Sequence, residues 1–431
     1  MVTLLYDLIL ALSTLVLVPL YLVKGVRHGK TRRGIRERLG RYAPDVLVRL
    51  QGKRVIWVHA VSVGETRAAI PLFKALRQQY PDAVLLLSNV TETGREMARG
   101  IAEVDVRIFF PFDLSWVVRR AIALIRPQIV ILVETEIWPN FVRAARAANV
   151  PTVLVNGRIS DRSFPRYRLL GRLLPPILDG LTTFCMQTEQ DARRIHLLGA
   201  AAERVRVVGN MKFDMTLPSH GTFDVATLRL QYRLPVDGPV WVAGSTHAGE
   251  ETLLAEIFLR LRQQQPDLRL VLVPRHPERA RQVVEELARH QLRGCLRTSL
   301  VERTGVLPPE DVLVVDTIGE MFKLYALADF VFVGGSLVPV GGHNILEALL
   351  LEKPVVYGPY MQNFKEIARL VTQAEGGLQV DSGDDLCRQM QRLLQDPAAA
   401  RRLGENGRHL LAANRGATQR TLDLIGQSLD P

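Results

Sequence analysis

Two doubly wound α/β domains, each a parallel sheet with helices on both faces, are the fold class this sequence predicts, and three observations predict it. Short, near-continuous apolar runs rich in β-branched residues alternate with amphipathic stretches from about residue 50 onward. The alternation halts once, in a polar stretch from Asp214 to Gly238 that holds Pro218, Gly221, Pro235 and Gly238, and then restarts. At 431 residues, 47% apolar and 23% charged, the chain has the length for two or three domains with large cores and is far from a disordered composition. Its three cysteines, Cys185, Cys295 and Cys387, form no Cys-x-x-Cys pair, which excludes a disulfide framework or a zinc ribbon and fits a reducing compartment.

The amino-terminal 23 residues stand apart. Leu8 to Val23 is an uncharged, mostly aliphatic run preceded by Asp7. A helix over 1–23 reaches about 34 Å at ~1.5 Å per residue, enough to cross a hydrocarbon core of ~30 Å. No basic residue precedes the run and no small-residue cleavage site follows it, so the segment reads as an uncleaved membrane anchor rather than a signal peptide. Lys24, Arg27, Lys30, Arg32, Arg33, Arg36, Arg38 and Arg41 follow, against the single acid Glu37; that net +7 of the chain's +11 leaves +4 for the rest. Cations directly after a membrane segment keep that side cytoplasmic and attract anionic inner-leaflet lipids. With no aromatic-interleaved basic stretch and no recognition-helix motif, nucleic acid is not an expected partner.

Strands of the first α/β domain are predicted at 54–60, 83–90, 106–110, 128–133, 152–156, 183–187 and 205–208, with helices at 66–79, 114–125, 140–148 and 189–198. The second set has strands at 240–244, 268–273, 312–316, 330–333, 354–357 and 378–380. Its helices fall at 250–264, 277–290, 320–328, 344–352, 364–374 and 384–394, and one last helix over about 398–428 is expected to pack back across the boundary. The predicted divisions are an anchor at 1–23, a basic juxtamembrane segment at 24–42, a first domain at 43–215, a linker at 216–236 and a second domain at 237–431. Ligands of open α/β sheets bind beyond the carboxyl ends of the strands, so a cleft between two such domains is where chemistry is expected.

The strand-ending loops carry the informative residues. His59-Ala60-Val61-Ser62-Val63-Gly64-Glu65 ends the first strand, with Gly64 suited to a tight turn. Glu65 stands at a helix start, where a carboxylate serves either as a general base or as a complement to the helix dipole. Glu134-Thr135-Glu136-Ile137-Trp138-Pro139-Asn140 ends the fourth, and one of its two acids could hold an ammonium or sugar hydroxyls, or else cap the next helix. Gly209-Asn210-Met211-Lys212-Phe213-Asp214 offers Lys212 as a cation for substrate anions or for solvent. Asn156-Gly157-Arg158-Ile159-Ser160, with Arg162, Arg166 and Arg168, adds a basic loop.

In the second domain, Gly244-Ser245-Thr246-His247 gathers hydroxyls and N–H groups at a helix start opened by Glu250, a natural anion site. Pro274-Arg275-His276-Pro277-Glu278-Arg279 places Arg275 to hold a phosphate or a pyrimidine carbonyl. Asp316-Thr317-Ile318-Gly319-Glu320-Met321 opens another helix. Gly334-Gly335-Ser336 and Gly341-Gly342-His343-Asn344-Ile345-Leu346-Glu347 let a ligand approach the backbone, with Glu347 set to grip ribose hydroxyls. Together these suggest a nucleotide bound through ribose and phosphate. No dinucleotide fingerprint, Walker motif, zincin motif, hydrolase elbow or Asp-x-Asp is present, so dehydrogenases, P-loop enzymes, zincins and α/β-hydrolases lose ground and a metal-free donor site is expected, with no cofactor.

Ser62 to Glu65, Glu134 to Asn140, Gly209 to Asp214, Pro274 to Arg279 and Gly342 to Glu347 together resemble the Kdo (3-deoxy-D-manno-octulosonic acid) transferases of lipopolysaccharide assembly, over essentially the whole chain. The resemblance implies a GT-B glycosyltransferase of the inner (cytoplasmic) membrane, anchored at its amino terminus with its catalytic domains in the cytoplasm. It would move Kdo from CMP-Kdo to a lipid A precursor of the lipid IVA type, without a metal. It also implies Glu65 as general base and Glu136 and Lys212 as transition-state stabilisers, with Glu134 the neighbouring acid to weigh against Glu136. Pro274, Arg275, Gly319, Glu320, Met321, Asn344, Ile345, Leu346 and Glu347 are implied as CMP contacts. The alternatives are another GT-B glycosyltransferase or an epimerase using a UDP-sugar, or a catalytically silent membrane scaffold.

Overall fold

The computed structural model describes residues 6, 7, 10, 34–217, 223–302 and 304–429. The chain divides into two compact units, Met1–Met215 with Asn414–Pro431, and Thr216–Ala413.

In the first unit, β1 (Val55–His59), β2 (Val84–Asn89), β3 (Val106–Phe109), β4 (Ile129–Val133), β5 (Thr152–Gly157), β6 (Thr183–Met186) and β7 (Val205–Val207) form one parallel sheet in the order β3-β2-β1-β4-β5-β6-β7. Strands buried on both faces carry near-continuous apolar residues; β4 does so throughout and β1 does up to its last residue, His59. Val55 and Trp57 enter one core with Leu86, Val130, Phe141 and Phe184. Ile56 and Val58 enter the other with Leu85, Ile131, Leu72 and Phe73. All seven predicted strands are present. The helix expected over 66–79 is two, Val63–Ala68 and Ile70–Gln79, parted at Ala69 where Pro71 stands in the first turn of the second and supplies no N–H to continue the first.

The second unit repeats the plan with β8 (Val240–Thr246), β9 (Arg269–Pro274), β10 (Arg293–Leu296), β11 (Asp311–Val314), β12 (Phe330–Val333), β13 (Val355–Tyr357) and β14 (Leu378–Gln379), parallel in the order β10-β11-β9-β8-β12-β13-β14. Trp241, Phe258, Leu272, Val314, Phe332 and Val356 meet in a core under this sheet. Strand β10 has no counterpart in the sequence reading. It is an edge strand with the sequence Arg-Gly-Cys-Leu, too short and too polar to announce itself.

Two further differences concern the termini. The anchor expected over 1–23 lies outside the described residues except for Tyr6, Asp7 and Leu10, and among the described residues no helix is long and apolar enough to cross a membrane. Residues 24–33 of the basic segment are likewise outside them, but from Gly34 onward the segment is built into the first unit. Glu37 accepts from Arg95 (2.7 and 3.1 Å) and from the Phe109 N–H (2.7 Å), and the Arg38 guanidinium lies 4.3 Å over the Phe109 ring. Gly34, at φ +86°, lies so close to that ring that a Cβ would overlap it.

The single helix expected over 398–428 is two, Pro397–Ala413 in the second unit and Ala417–Leu429 in the first, parted at 414–416 where Gly416 has φ +94°. Leu422 and Ile425 of the last helix pack on Leu72, Phe73 and Leu76. Asp214 caps it, accepting from the Gly416 N–H (2.6 Å) and the Thr418 N–H (2.5 Å), and Arg420 donates to the Val208 carbonyl (2.9 Å). Replacing Asp214 by Ala removes the cap and is expected to cost about 1–2 kcal/mol, read as a lowered midpoint of unfolding with earlier amide exchange in residues 417–429. An unchanged midpoint would remove Asp214 as the docking contact.

Candidate functional site

β1 and β4 are neighbours in the first sheet although β2 and β3 lie between them in sequence. Their crossovers leave to opposite sides, and the crevice beyond their carboxyl ends is the unit's topological switch point. Glu65, in the first turn of the helix that follows β1, and Glu134 and Glu136, on the loop that leaves β4, all stand just beyond these two strands.

Ser62 caps the helix Val63–Ala68, accepting from the Glu65 N–H (3.4 Å) and donating its hydroxyl to Glu65 Oε1 (2.9 Å), while Glu65 Oε2 accepts from the Val61 N–H (2.6 Å). This reciprocal capping fixes the carboxylate rotamer, and it makes the turn through Ser62; Gly64 sits inside the helix and is absent from the residues at positive φ. Glu65 is 9% exposed. Burial pushes its carboxyl up to about 7; the hydrogen bond from Val61 opposes the rise, the charges of Glu134 and Glu136 add to it, and the Ser62 hydroxyl opposes it.

Glu134 takes a left-handed conformation, φ +62°, immediately after β4, and its N–H donates to the Val155 carbonyl (2.9 Å). Its Oε1 accepts from Lys212 Nζ at 3.1 Å, both side chains being half-buried. The Glu136 carboxyl is held above its usual range by burial and by the charge of Glu134. Tyr167 is raised by burial and by the charge of Glu136; it stands, with Arg166 and Arg168 of the expected basic loop, on a helix, Ser163–Leu169.

Lys212 stands on a single 3₁₀ turn, Met211–Asp214, fastened by amide side chains. Its N–H donates to Asn210 Oδ1 (2.9 Å), Asn210 Nδ2 to Gln187 Oε1 (2.9 Å), and Gln187 Nε2 to the Asn156 carbonyl (2.9 Å). Asn156 Oδ1 in turn accepts from the Met211 N–H (3.0 Å). His59, at the end of β1, takes no part: it is fully buried, stacked on Phe110 at 3.7 Å, bonded to Ser88, and pushed down to about 3 by burial.

In the second unit, the β8–β12 pair is the switch point by the same argument. The anion site expected at Gly244–His247 and the ligand approach expected at Gly334–Ser336 are corrected here: the protein fills both itself. Glu250, fully buried, accepts from the N–H groups of His247 (2.9 Å), Gly335 (2.7 Å), Ser336 (3.1 Å) and Leu337 (3.0 Å). Thr246 donates its hydroxyl to Glu251 (3.0 Å), which also holds Arg279 (2.9 Å).

The remaining predicted donor residues lie on the loops that follow β9, β11 and β12. Pro274 ends β9 buried, and the exposed Arg275 donates its N–H to the Thr246 carbonyl (2.9 Å). Gly319, at φ +89°, precedes Glu320, whose carboxylate accepts from Tyr232 (2.5 Å), Arg297 (3.2 Å) and the Thr317 hydroxyl. Burial raises the Glu320 carboxyl, but the hydrogen bonds from Thr317 and Tyr232 and the Arg297 charge bring it below its ordinary range. Met321 begins the next helix. Asn344 Oδ1 accepts from the Leu346 N–H (3.1 Å) and Asn344 Nδ2 donates to Glu347 (3.3 Å), while Ile345 and Leu346 are buried. Sequence reading missed the structural role of Glu250, the Asn156–Gln187–Asn210 network, and the pairing of His247 with His343, whose Nε2 atoms are 2.8 Å apart. Among the described residues, no group of three or more His, Cys, Asp or Glu is placed to hold a metal ion.

The family model described as 3-Deoxy-D-manno-octulosonic-acid transferase (kdotransferase) matches residues 33–215. A 3-deoxy-D-manno-octulosonic acid transferase of Haemophilus influenzae is 35% identical over 409 residues, covering 94% of this chain and 93% of the relative. One from Bordetella pertussis is 36% identical over 381 residues, covering 86% of each. A glycosyltransferase structure from Rickettsia africae, 15% identical, has a TM-score of 0.58 and covers 88% of this chain and 99% of its own, a likeness of fold.

Replacing Lys212 by Met leaves Glu134 without its ammonium. The uncompensated Glu134 charge then raises Glu65 and Glu136 further above their unfolded-state values, so the unfolded chain loses its protons first and the variant loses stability as pH rises. The expected loss is small near pH 5 and about 1–2 kcal/mol once pH has passed about 7, where Glu65 ionises. Unfolding midpoints of both proteins across that range check it, and a pH-independent difference would contradict it.

Proposed function

The chain belongs to the 3-deoxy-D-manno-octulosonic acid transferases, and from that premise we propose that it transfers Kdo from CMP-Kdo to a lipid A precursor in lipopolysaccharide assembly, with Glu65 as the general base. The observation that carries this reading is the cluster of Glu65, Glu134, Glu136 and Lys212 at the β1–β4 switch point, inside the stretch matched by the family model.

In this reading the acceptor hydroxyl gives its proton to the Glu65 carboxylate as its oxygen bonds to the anomeric carbon of Kdo, and CMP departs with the electron pair of the broken bond. A base is most effective when its pKa lies near the working pH, and burial brings Glu65 to about 7. Glu136 faces the positive charge that develops at the anomeric centre, and Lys212 gives the neighbouring Glu134 a counter-charge. Arg275, the 319–321 turn and the Asn344–Glu347 helix start hold the nucleotide, whose charge these residues meet without a metal ion.

The net +7 between residues 24 and 41 and the apolar run before it suit an enzyme whose acceptor is an anionic lipid. We therefore place the protein at the cytoplasmic face of the inner membrane, anchored through residues 1–23.

The test is transfer from CMP-Kdo, generated in situ, to a tetraacylated bisphosphorylated glucosamine disaccharide, read by mass spectrometry. The native protein should add one or more Kdo units, and Glu65→Gln should lose about 10²–10⁴-fold while still binding CMP. The apparent kcat/KM should rise about tenfold per pH unit up to about 7 and level above it, because the base works only when ionised. Transfer from a UDP-sugar instead, or full activity in Glu65→Gln, would overturn the assignment.

A further inference from the structure

One helix start beside the acidic cluster is capped from another loop. The helix Pro139–Ala147 follows the loop that carries Glu134 and Glu136; Trp138, at its cap position, makes no side-chain cap, and Pro139 has no N–H. Asp113, on the loop after β3, takes over that role. Its Oδ2 accepts from the Asn140 N–H (3.1 Å) and its Oδ1 from the Phe141 N–H (2.7 Å), while Asn140 Nδ2 donates back to the Asp113 carbonyl (2.7 Å). Both residues are buried. The acidic loop is thus held at two ends, by the Glu134 N–H on the Val155 carbonyl where it leaves β4 and by Asp113 where it enters the helix.

Asp113 and Asn140 are met in turn by the first residues of the chain. The Tyr6 hydroxyl donates to Asp113 Oδ2 (3.1 Å), and Asp7 Oδ1 accepts from Asn140 Nδ2 (2.5 Å). Asp7 Oδ1 also accepts from the Ser115 N–H (3.2 Å), at the start of the helix Ser115–Ile125, whose own cap position, Leu114, makes no side-chain cap. Burial pushes the Asp113 carboxyl up to about 7; the hydrogen bonds from Asn140, Phe141 and Tyr6 oppose the rise, and the charge of Asp7 adds to it. A carboxylate caps more strongly than a carboxylic acid, so the cap is as strong as the donors that keep Asp113 ionised. Of those three donors, Tyr6 alone comes from outside the helix being capped.

We propose that Tyr6 and Asp7 are positioning residues for the acidic site: through Asp113 and Asn140 they fix the helix start at which the Glu134–Glu136 loop ends. The stretch that attaches the protein to the membrane then also completes the site beside it. The inference rests on the reading of Glu65, Glu134, Glu136 and Lys212 as the reacting end, and adds to that reading a contact that spans 133 positions of the sequence, from Asp7 to Asn140. Tyr6, Asp7 and Glu37 are all bonded to the first unit, so both ends of the apolar and basic stretch between them stand on the side of the membrane where the reaction takes place.

The experiment is steady-state transfer from CMP-Kdo to the tetraacylated disaccharide by the full-length protein in detergent micelles, where attachment to a bilayer limits nothing. The variants are Asp7→Ala, Asp7→Asn and Tyr6→Phe. Asp7→Ala should lower kcat about tenfold to a hundredfold, the loss that follows a misplacement on the order of an ångström, with KM for CMP-Kdo changed by less than about twofold. Asp7→Asn keeps one acceptor oxygen and should recover part of that loss. Displacing the loop takes the Glu136 charge away from Glu65, so the pH at which kcat/KM levels should fall below about 7 in Asp7→Ala and Tyr6→Phe, a change that a smaller folded fraction does not produce. Unchanged kcat in all three variants, a lower kcat with the native pH profile, or a raised KM for the lipid with kcat intact would overturn the proposal. A native protein that transfers no Kdo overturns the functional reading beneath it, and is told apart because the native protein itself is silent.

Discussion

The acidic end of the first unit depends on one ammonium. The charge of Glu134 raises both Glu65 and Glu136, that of Glu136 raises Glu65 as well, and burial already disfavours the charged forms of Glu65 and Glu136. Lys212, 3.1 Å from Glu134, is the counter-charge to the one acid whose charge acts on both of the others. A lysine on a loop would be a poor fixture, since its stem is long and flexible. Its backbone is therefore tied down on both sides, by the Asn156–Gln187–Asn210 amide chain on one and by Asp214 on the other. Asp214 bonds to N–H groups of the last helix, so residues 416–429, some two hundred positions along the sequence, help to set where the ammonium stands.

The two units use the same topology to opposite ends. Each has a parallel sheet whose central strands part at a switch point, and each places an acidic residue in the first turn of the helix that follows its first strand. Glu65 accepts two hydrogen bonds and keeps part of its oxygen surface for other partners. Glu250 accepts four, all from backbone, and is spent on the loop. A carboxylate with spare acceptor capacity can take a proton from a substrate; one that is saturated serves as an internal anion, fixing a glycine-rich loop in one shape. The same local motif thus yields a reactive group in one unit and a structural one in the other.

What the sequence made legible follows from this. Strands buried on both faces are apolar nearly throughout, which makes the central ones direct to read; the exposed edge strands Val205–Val207 and Leu378–Gln379 still carry Val or Leu at their start, whereas Arg293–Leu296 opens on Arg-Gly, so thirteen of the fourteen were legible. Glu65, Glu134, Glu136 and Lys212 were visible as polar residues at strand ends. Their division of labour was not. Nothing in the order Glu-Thr-Glu says that Glu134 adopts φ +62° and turns to Lys212 across 78 positions. Glu250 read only as the residue that opens a helix, and the four amides it satisfies come from residues up to 87 positions away. His247 and His343, 96 positions apart, are joined only by the adjacency of β8 and β12, which is a property of the sheet order and not of either loop.

The proposed base also shows how a helix cap can tune chemistry. Burial and two like charges push the Glu65 carboxyl up, and left alone they would leave it protonated at neutral pH, where it could accept nothing. The Val61 N–H and the Ser62 hydroxyl bond to the charged form and pull it back to about 7. Those bonds exist because Ser62 and Glu65 stand three residues apart at the start of a helix, an arrangement that forms to satisfy the orphan N–H groups of the first turn. An element required for folding thus sets both the direction of the carboxylate and the pH at which it ionises.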